Sequence, residues 1–208
     1  MLWEALVELT GLKHGPMGEE AVHLCIDMQR LFAEDTDWRT PWMRRVLPEV
    51  TRLCEHRPER TCFTRFIPAR QPGEGQGTWR RYYQQWASMT LDRLEPGMVD
   101  LLPELALFVP PARVFDKTVY SPWHSGRLNA ALRGSGVETI VVSGGETDVC
   151  VLSTVLGAVD LRFRVVIAAD ALCSSSDETH DRTLALYHDR FGQQVETVLV
   201  EELLEAWV

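Results

Sequence analysis

Short apolar runs alternate along this chain with longer stretches whose apolar residues recur every three or four positions. Ala21-Val22-His23-Leu24-Cys25-Ile26 is the first run. It ends at Asp27, and Met28 to Ala33 then turns towards the acidic loop Glu34-Asp35-Thr36-Asp37. Pro41 to His56 carries Trp42, Val46, Val50 and Leu53 at helical spacing, interrupted by Pro48. Thr61 to Ile67 reads as a second strand, followed by a Pro- and Gly-rich loop from Pro68 to Gly77. Trp79 to Trp86 predicts an aromatic helix and Val99 to Leu107 an irregular or helical linker. Pro110-Pro111 introduces a third strand, Arg113 to Phe115, ending near Asp116-Lys117, and Ser125 to Leu132 predicts a helix ended by Gly134. Val137 to Val142 is a β-branched fourth strand, broken by Gly144-Gly145 and followed by a helix from Asp148 to Val159. Arg164 to Ala169, Glu178 to Phe191, Val195 to Val200 and Glu201 to Trp207 then read as strand, helix, strand and helix. Strand and helix alternate with no internal repeat and no long linker. That pattern predicts an α/β fold on a mostly parallel sheet covered on both faces.

In such a sheet ligands gather at the carboxyl ends of the strands. Asp27, Lys117 and Cys150 each fall at or just beyond such an end. If Thr147 caps the helix that follows Gly144-Gly145, Cys150 is its third residue, and its own N–H has no intrahelical partner. A thiol there is expected to have a lowered pKa, and the free N–H suits an oxyanion. Taken singly, Cys150 fits a small core residue, Asp27 a helix cap and Lys117 a solvated loop cation. Taken together, the three make a nucleophile, a general base that later returns the proton, and a cation that keeps the base charged.

Composition narrows the classes. The 208 residues suit a single domain over 1–208, with residues 1–20 as an N-terminal helix or extension. A formal net charge of -9 disfavours nucleic acid and anionic membrane surfaces, and no apolar run approaches the length that spans a bilayer. Met1 to Thr10 carries Glu4 and Glu8 and lacks a basic n-region, so it reads as a short amphipathic helix and not as a signal peptide. Five cysteines without a CxxC pair point to free thiols in a reducing, cytoplasmic setting. A flavodoxin-like cofactor protein lacks support, because no phosphate-binding glycine fingerprint follows the first strand.

Three segments carry a family resemblance: Cys25-Ile26-Asp27-Met28-Gln29, Phe115-Asp116-Lys117-Thr118-Val119-Tyr120-Ser121, and Ser143-Gly144-Gly145-Glu146-Thr147-Asp148-Val149-Cys150-Val151. In that order, over about Ala21 to Val200, the chain resembles the isochorismatase-like cysteine hydrolases. The resemblance implies a three-layer α/β/α fold with a six-stranded parallel sheet in the order 3-2-1-4-5-6. It implies an Asp27–Lys117–Cys150 triad, an oxyanion hole from the backbone N–H groups of Glu146 and Cys150, a cis peptide at Gly145-Glu146, and a homo-oligomer, dimer or tetramer. Nicotinamidases of this family carry an Asp-x-His metal motif after the second strand. Here that place reads Thr64-Arg65-Phe66-Ile67-Pro68-Ala69-Arg70, and no His occurs between His56 and His124. No metal and no other cofactor is therefore expected. The implied activity is C–N hydrolysis of a small amide or ureide. An isochorismatase-type vinyl-ether hydrolase and a non-enzymatic binding or assembly module stay open beside it.

For the substrate pocket, Phe32 and Trp123 stand nearest in sequence to Asp27 and Lys117, with Tyr120 beside them and Gln29 as a hydrogen-bonding candidate. Trp38, Trp42, Trp79, Tyr82, Tyr83 and Trp86 fit a pocket wall or lid, but equally a satellite core or an interface. Arg80 and Arg81 are expected on the surface. A capping role accounts for most of Ser174, Ser175, Ser176 and Asp177, and His180 reads as structural.

Overall fold

The computed structural model describes residues 9–208. The expected N-terminal helix, Met1 to Thr10, lies almost wholly outside the described residues. Six parallel strands form one sheet: β1 (Ala21–Ile26), β2 (Thr61–Phe66), β3 (Arg113–Lys117), β4 (Thr139–Gly145), β5 (Arg164–Cys173) and β6 (Val195–Val198). Their order is β3-β2-β1-β4-β5-β6. β1 is fully buried and pairs with β2 on one side and β4 on the other, Cys25 opposite Ser143 and Ile26 opposite Gly144. A doubly flanked central strand must be apolar on both faces, and its sequence is.

Alternate residues of β1 feed two cores. Ala21 and Cys25 face α2 (Met43–His56) and α8 (Val200–Ala206), which bring Met43, Val46, Val50, Leu53 and Leu203. Val22, Leu24 and Ile26 face α5 (Arg127–Gly134), α6 (Leu152–Asp160) and α7 (Asp177–Phe191), which bring Leu128, Leu132, Val155 and Leu184. Three short helices complete the chain: α1 (Arg30–Ala33), α3 (Trp79–Gln85) and α4 (Pro103–Ala106). A third, smaller cluster built on Leu31, Trp38, Phe66, Tyr83, Met89 and Met98 lies under the α1 and α3 loops. Trp79, Tyr82 and Trp86 pack against it, so the aromatic stretch is in part a satellite core. Arg80 and Arg81 are exposed.

Two strands run further than the sequence reading, and β6 stops two residues short of it. β5 continues past Ala169 to Cys173, and β4 runs through Gly144 and Gly145 instead of stopping before them. At Gly144 φ is +102°, and a Cβ would stand 2.2 Å from the Ile26 carbonyl oxygen. The β1 and β4 backbones touch there, which only glycine permits. The register between β4 and β5 slips between Val142 and Gly144, so the strand end is re-aimed but still paired.

Candidate active site

β1, β3 and the turn after β4 each deliver one side chain to the carboxyl edge of the sheet. Asp27 follows β1 with φ at 49°, a left-handed conformation uncommon outside glycine. Thr64 on β2 holds it there. The Asp27 amide donates to the Thr64 carbonyl at 3.2 Å, and the Thr64 hydroxyl donates to Asp27 Oδ1 at 2.6 Å. Lys117 closes β3, and its Nζ lies 2.7 Å from Asp27 Oδ2, 3.4 Å from Cys150 Sγ and 3.3 Å from the Val119 carbonyl. The ammonium also sits 5.1 Å from the centre of the Phe66 ring. Asp27 is 1% exposed, Lys117 8% and Cys150 6%.

Burial sets the electrostatics of this group. Desolvation would lower the Lys117 pKa, but Asp27 and then Cys150 raise it, and the net shift is upward. The ammonium therefore stays charged. For Cys150, burial drives the pKa well above the ordinary thiol value, Asp27 pushes the same way, and Lys117 offsets only part. The expected lowered pKa is overturned. In the free protein the group rests as a neutral thiol beside an ion pair, because loss of water and a neighbouring carboxylate outweigh the single cation.

The turn that carries Cys150 also departs from the simple helix start. The Gly145–Glu146 peptide is cis. Thr147–Val151 form a π-helical turn that passes into α6, and the Glu146 carbonyl accepts from both the Val149 and the Val151 amide. Thr147 is not an N-cap. Its hydroxyl donates to the Cys173 carbonyl at 3.1 Å and meets His180 Nδ1 at 2.8 Å, tying the turn to β5 and α7. Burial lowers the His180 pKa, so this anchor is a neutral imidazole. Ser176 caps α7, accepting from the Thr179 amide. Ser174 and Ser175 do something else: their hydroxyls donate to Asp148 and Glu146, each at 2.5 Å, closing the loop after β5 over the turn.

Cys150 opens onto a cavity of about 60 Å³ walled by Phe32, Trp38, Phe66, Tyr82, Tyr120 and Val149, with Glu146 among its lining residues. Two of the four pocket candidates, Phe32 and Tyr120, are therefore at the cavity. Gln29 and Trp123 are not. Gln29 donates to the carbonyls of Phe66 and Val99 and accepts from the Phe66 amide, at 3.0, 2.7 and 2.7 Å, so it orders the loop and has no group left for a substrate. Trp123 turns towards α6: Nε1 donates to the Thr154 carbonyl at 2.9 Å, and the ring stacks on Phe163. Among the described residues no three His, Cys, Asp or Glu side chains converge as metal ligands.

The isochorismatase domain model matches residues 21–198 of this chain, a span that holds all three motifs and every strand. The chain belongs to the isochorismatase family. The uncharacterized isochorismatase family protein YwoC of Bacillus subtilis is 32% identical over 115 residues, which cover 52% of this chain and 59% of that protein. The chain thus spans less than two thirds of that relative's length. Nicotinamidase 3 of Arabidopsis thaliana is 27% identical over 174 residues, 83% of this chain and 82% of the relative. Among solved structures, a cysteine hydrolase from Pseudomonas syringae pv. phaseolicola superposes with a TM-score of 0.79 at 20% identity, over 99% of this chain and 98% of that one. At that identity the likeness is one of fold.

Within this family fold, the residues that sequence reasoning missed are those brought in by other strands and loops. Thr64 steadies Asp27, yet a threonine in a strand carries no signal, since it is a common β former. Phe66 reaches the cavity from the end of β2, while Trp38 and Tyr82, two of the aromatic residues expected as a pocket wall or satellite core, reach it from the loop after α1 and from α3. Only the fold brings them together.

Proposed function

We propose that this protein is a cysteine hydrolase that cleaves the C–N bond of a small amide or ureido substrate through a thioester on Cys150. The carrying observation is the buried contact of Lys117 Nζ with both Asp27 Oδ2 and Cys150 Sγ, with Cys150 lining a small cavity. Membership of a family of hydrolases, and a relative named as a nicotinamidase, support the amide side of the reading.

In the proposed reaction Asp27 takes the thiol proton as the sulfur attacks the carbonyl carbon. The thiol rests protonated, so this transfer belongs to the step in which the S–C bond forms. The carbonyl oxygen becomes an oxyanion held by the backbone N–H groups of Glu146 and Cys150, donors of a kind whose loss costs on the order of 10²–10³ in rate. Asp27 returns the proton to the nitrogen, the C–N bond breaks, and ammonia or an amine leaves the thioester. Water, deprotonated by Asp27, then attacks; the acid leaves and the thiol regains its proton. Lys117 stays an ammonium throughout and holds the Asp27 carboxyl beside the sulfur through its contacts with both.

The test is a nitrogen-release screen over small amides and ureides with wild type, Cys150→Ala and Cys150→Ser. Cys150→Ala is expected to lose turnover by at least about 10³-fold, with no acyl adduct by mass spectrometry. Equal turnover in wild type and Cys150→Ala sinks the proposal, and pyruvate release from isochorismate by Cys150→Ala replaces it with vinyl-ether hydrolysis.

A further inference from the structure

Beside the cavity at Cys150 lies a second space with some of the same walls. It is an open cleft of about 750 Å³, lined by Trp79, Tyr82, Tyr120, Ser121, Trp123 and Ser153 among others. Tyr82 and Tyr120 line both spaces. Trp79 braces both rings, its centroid 5.2 Å from Tyr82 and 5.0 Å from Tyr120. This tyrosine pair is the partition between a small closed chamber and a large open one. It also accounts for Trp123, which is in the wrong place for the inner cavity but forms a wall of the outer cleft.

We propose that the two spaces are halves of one substrate site. The inner chamber takes a small acyl or carbamoyl group, and the outer cleft takes an aromatic or apolar substituent on the leaving amine. This rests on the amidohydrolase reading and narrows it to N-substituted amides and ureas.

Size sets the inner occupant. An engineered cavity near 150 Å³ binds benzene, so a chamber of about 60 Å³ suits a small acyl or carbamoyl group better than an aromatic acyl ring. Proton delivery sets the direction. The leaving nitrogen must receive its proton from Asp27, which is paired with Lys117. The Lys117 ammonium points on to the Val119 carbonyl, and Val119 lines the outer cleft. The amine therefore lies on the cleft side and the acyl group on the other. Chemistry sets the substituent. Trp79, Tyr82, Tyr120 and Trp123 offer ring faces, Ser121 and Ser153 offer hydroxyls, and no Lys or Arg lines either space to meet a carboxylate. The net change is R–CO–NH–R′ plus water giving R–COOH and R′–NH2. The sulfur–carbon bond forms, carbon–nitrogen then breaks, and water breaks the sulfur–carbon bond in turn. Its hydroxyl goes to the acid, while the amine keeps the thiol proton and the thiol regains one from water.

The experiment compares acetamide with N-benzylacetamide, and urea with N-benzylurea, by ammonia and benzylamine release. The benzyl compounds are expected to show kcat/KM at least about tenfold higher, the value of one partly buried ring. Ser153→Trp, which fills the cleft, is expected to raise KM for the benzyl compounds about tenfold more than for the unsubstituted ones. Ser121→Trp serves as a second filling variant should the first fail to fold. Turnover of the unsubstituted compounds with no gain from benzyl, or an equal effect of filling on both classes, overturns the two-chamber site alone. Turnover of neither class removes the amidohydrolase reading and this inference with it.

Discussion

His23 and Asp27 stand on the same short stretch of chain, at 0% and 1% exposure, yet they are opposite solutions to burying a titratable group. His23 sits among neutral partners, with Ser143 Oγ 2.7 Å from its Nε2 and Thr61 and Cys54 on the Nδ1 side. Burial pushes its pKa down to about 3, so it stays uncharged. Asp27 instead meets a cation that also contacts Cys150, which lines a cavity. The cysteines repeat the lesson. Burial raises Cys25, Cys54, Cys62, Cys173 and Cys150 alike. Cys150 differs in the ammonium at 3.4 Å and the space in front of its sulfur. Burial by itself makes a silent group; a counter-ion and an opening make a reactive one.

The largest effect is expected from Asp27→Asn. It strands the Lys117 charge in a buried site, which should cost about 3–5 kcal/mol in urea denaturation. Asp27→Asn combined with Lys117→Met should recover most of that stability without recovering turnover. A loss below about 1 kcal/mol for the single change would mean that water screens the site and that the contrast with His23 is weaker than drawn here.

His23→Leu should cost less, about 1–3 kcal/mol at neutral pH, because it leaves the Ser143 hydroxyl without its partner. Turnover should stay within twofold. The pH dependence gives a second reading. Below 6.5 the unfolded chain binds a proton at His23, while the folded chain does not until about 3. Wild-type stability should therefore fall as pH drops through that window, and the His23→Leu profile should be flatter there. Parallel profiles would assign the acid limb to other groups.

The smallest effect concerns the thiol. Because Asp27 raises the Cys150 pKa and Lys117 lowers it, Asp27→Asn should speed alkylation by iodoacetamide near neutral pH, and Lys117→Met should slow it. The change is tenfold in thiolate for each unit of pKa. Labelling sites read by mass spectrometry separate Cys150 from the buried Cys54, which is raised by burial with Cys25 and Glu55 adding to it and which serves as the internal control. Faster alkylation in Lys117→Met would reverse the assigned roles.

The alternation of apolar runs and helical spacing determined the fold before any coordinates, because a sheet covered on both faces and helices with one apolar stripe impose different periods on the same chain. It also put Asp27, Lys117 and Cys150 at strand ends, and strand ends in a parallel sheet lie on one edge. Tertiary structure decided what those residues are. The direction of the Cys150 shift depends on how much water the fold removes and on a carboxylate that sequence leaves more than a hundred residues away. Gln29 looked available and is spent on the Phe66 and Val99 backbone; Trp123 looked near Lys117 and faces α6. Gly144 and Gly145 read as a break, but the close approach of Ile26 to Gly144 and of Cys173 to Gly145 makes them the way for β4 to continue. Local pattern is set by neighbours in sequence, whereas desolvation, spent hydrogen bonds and cavity size are set by neighbours in space.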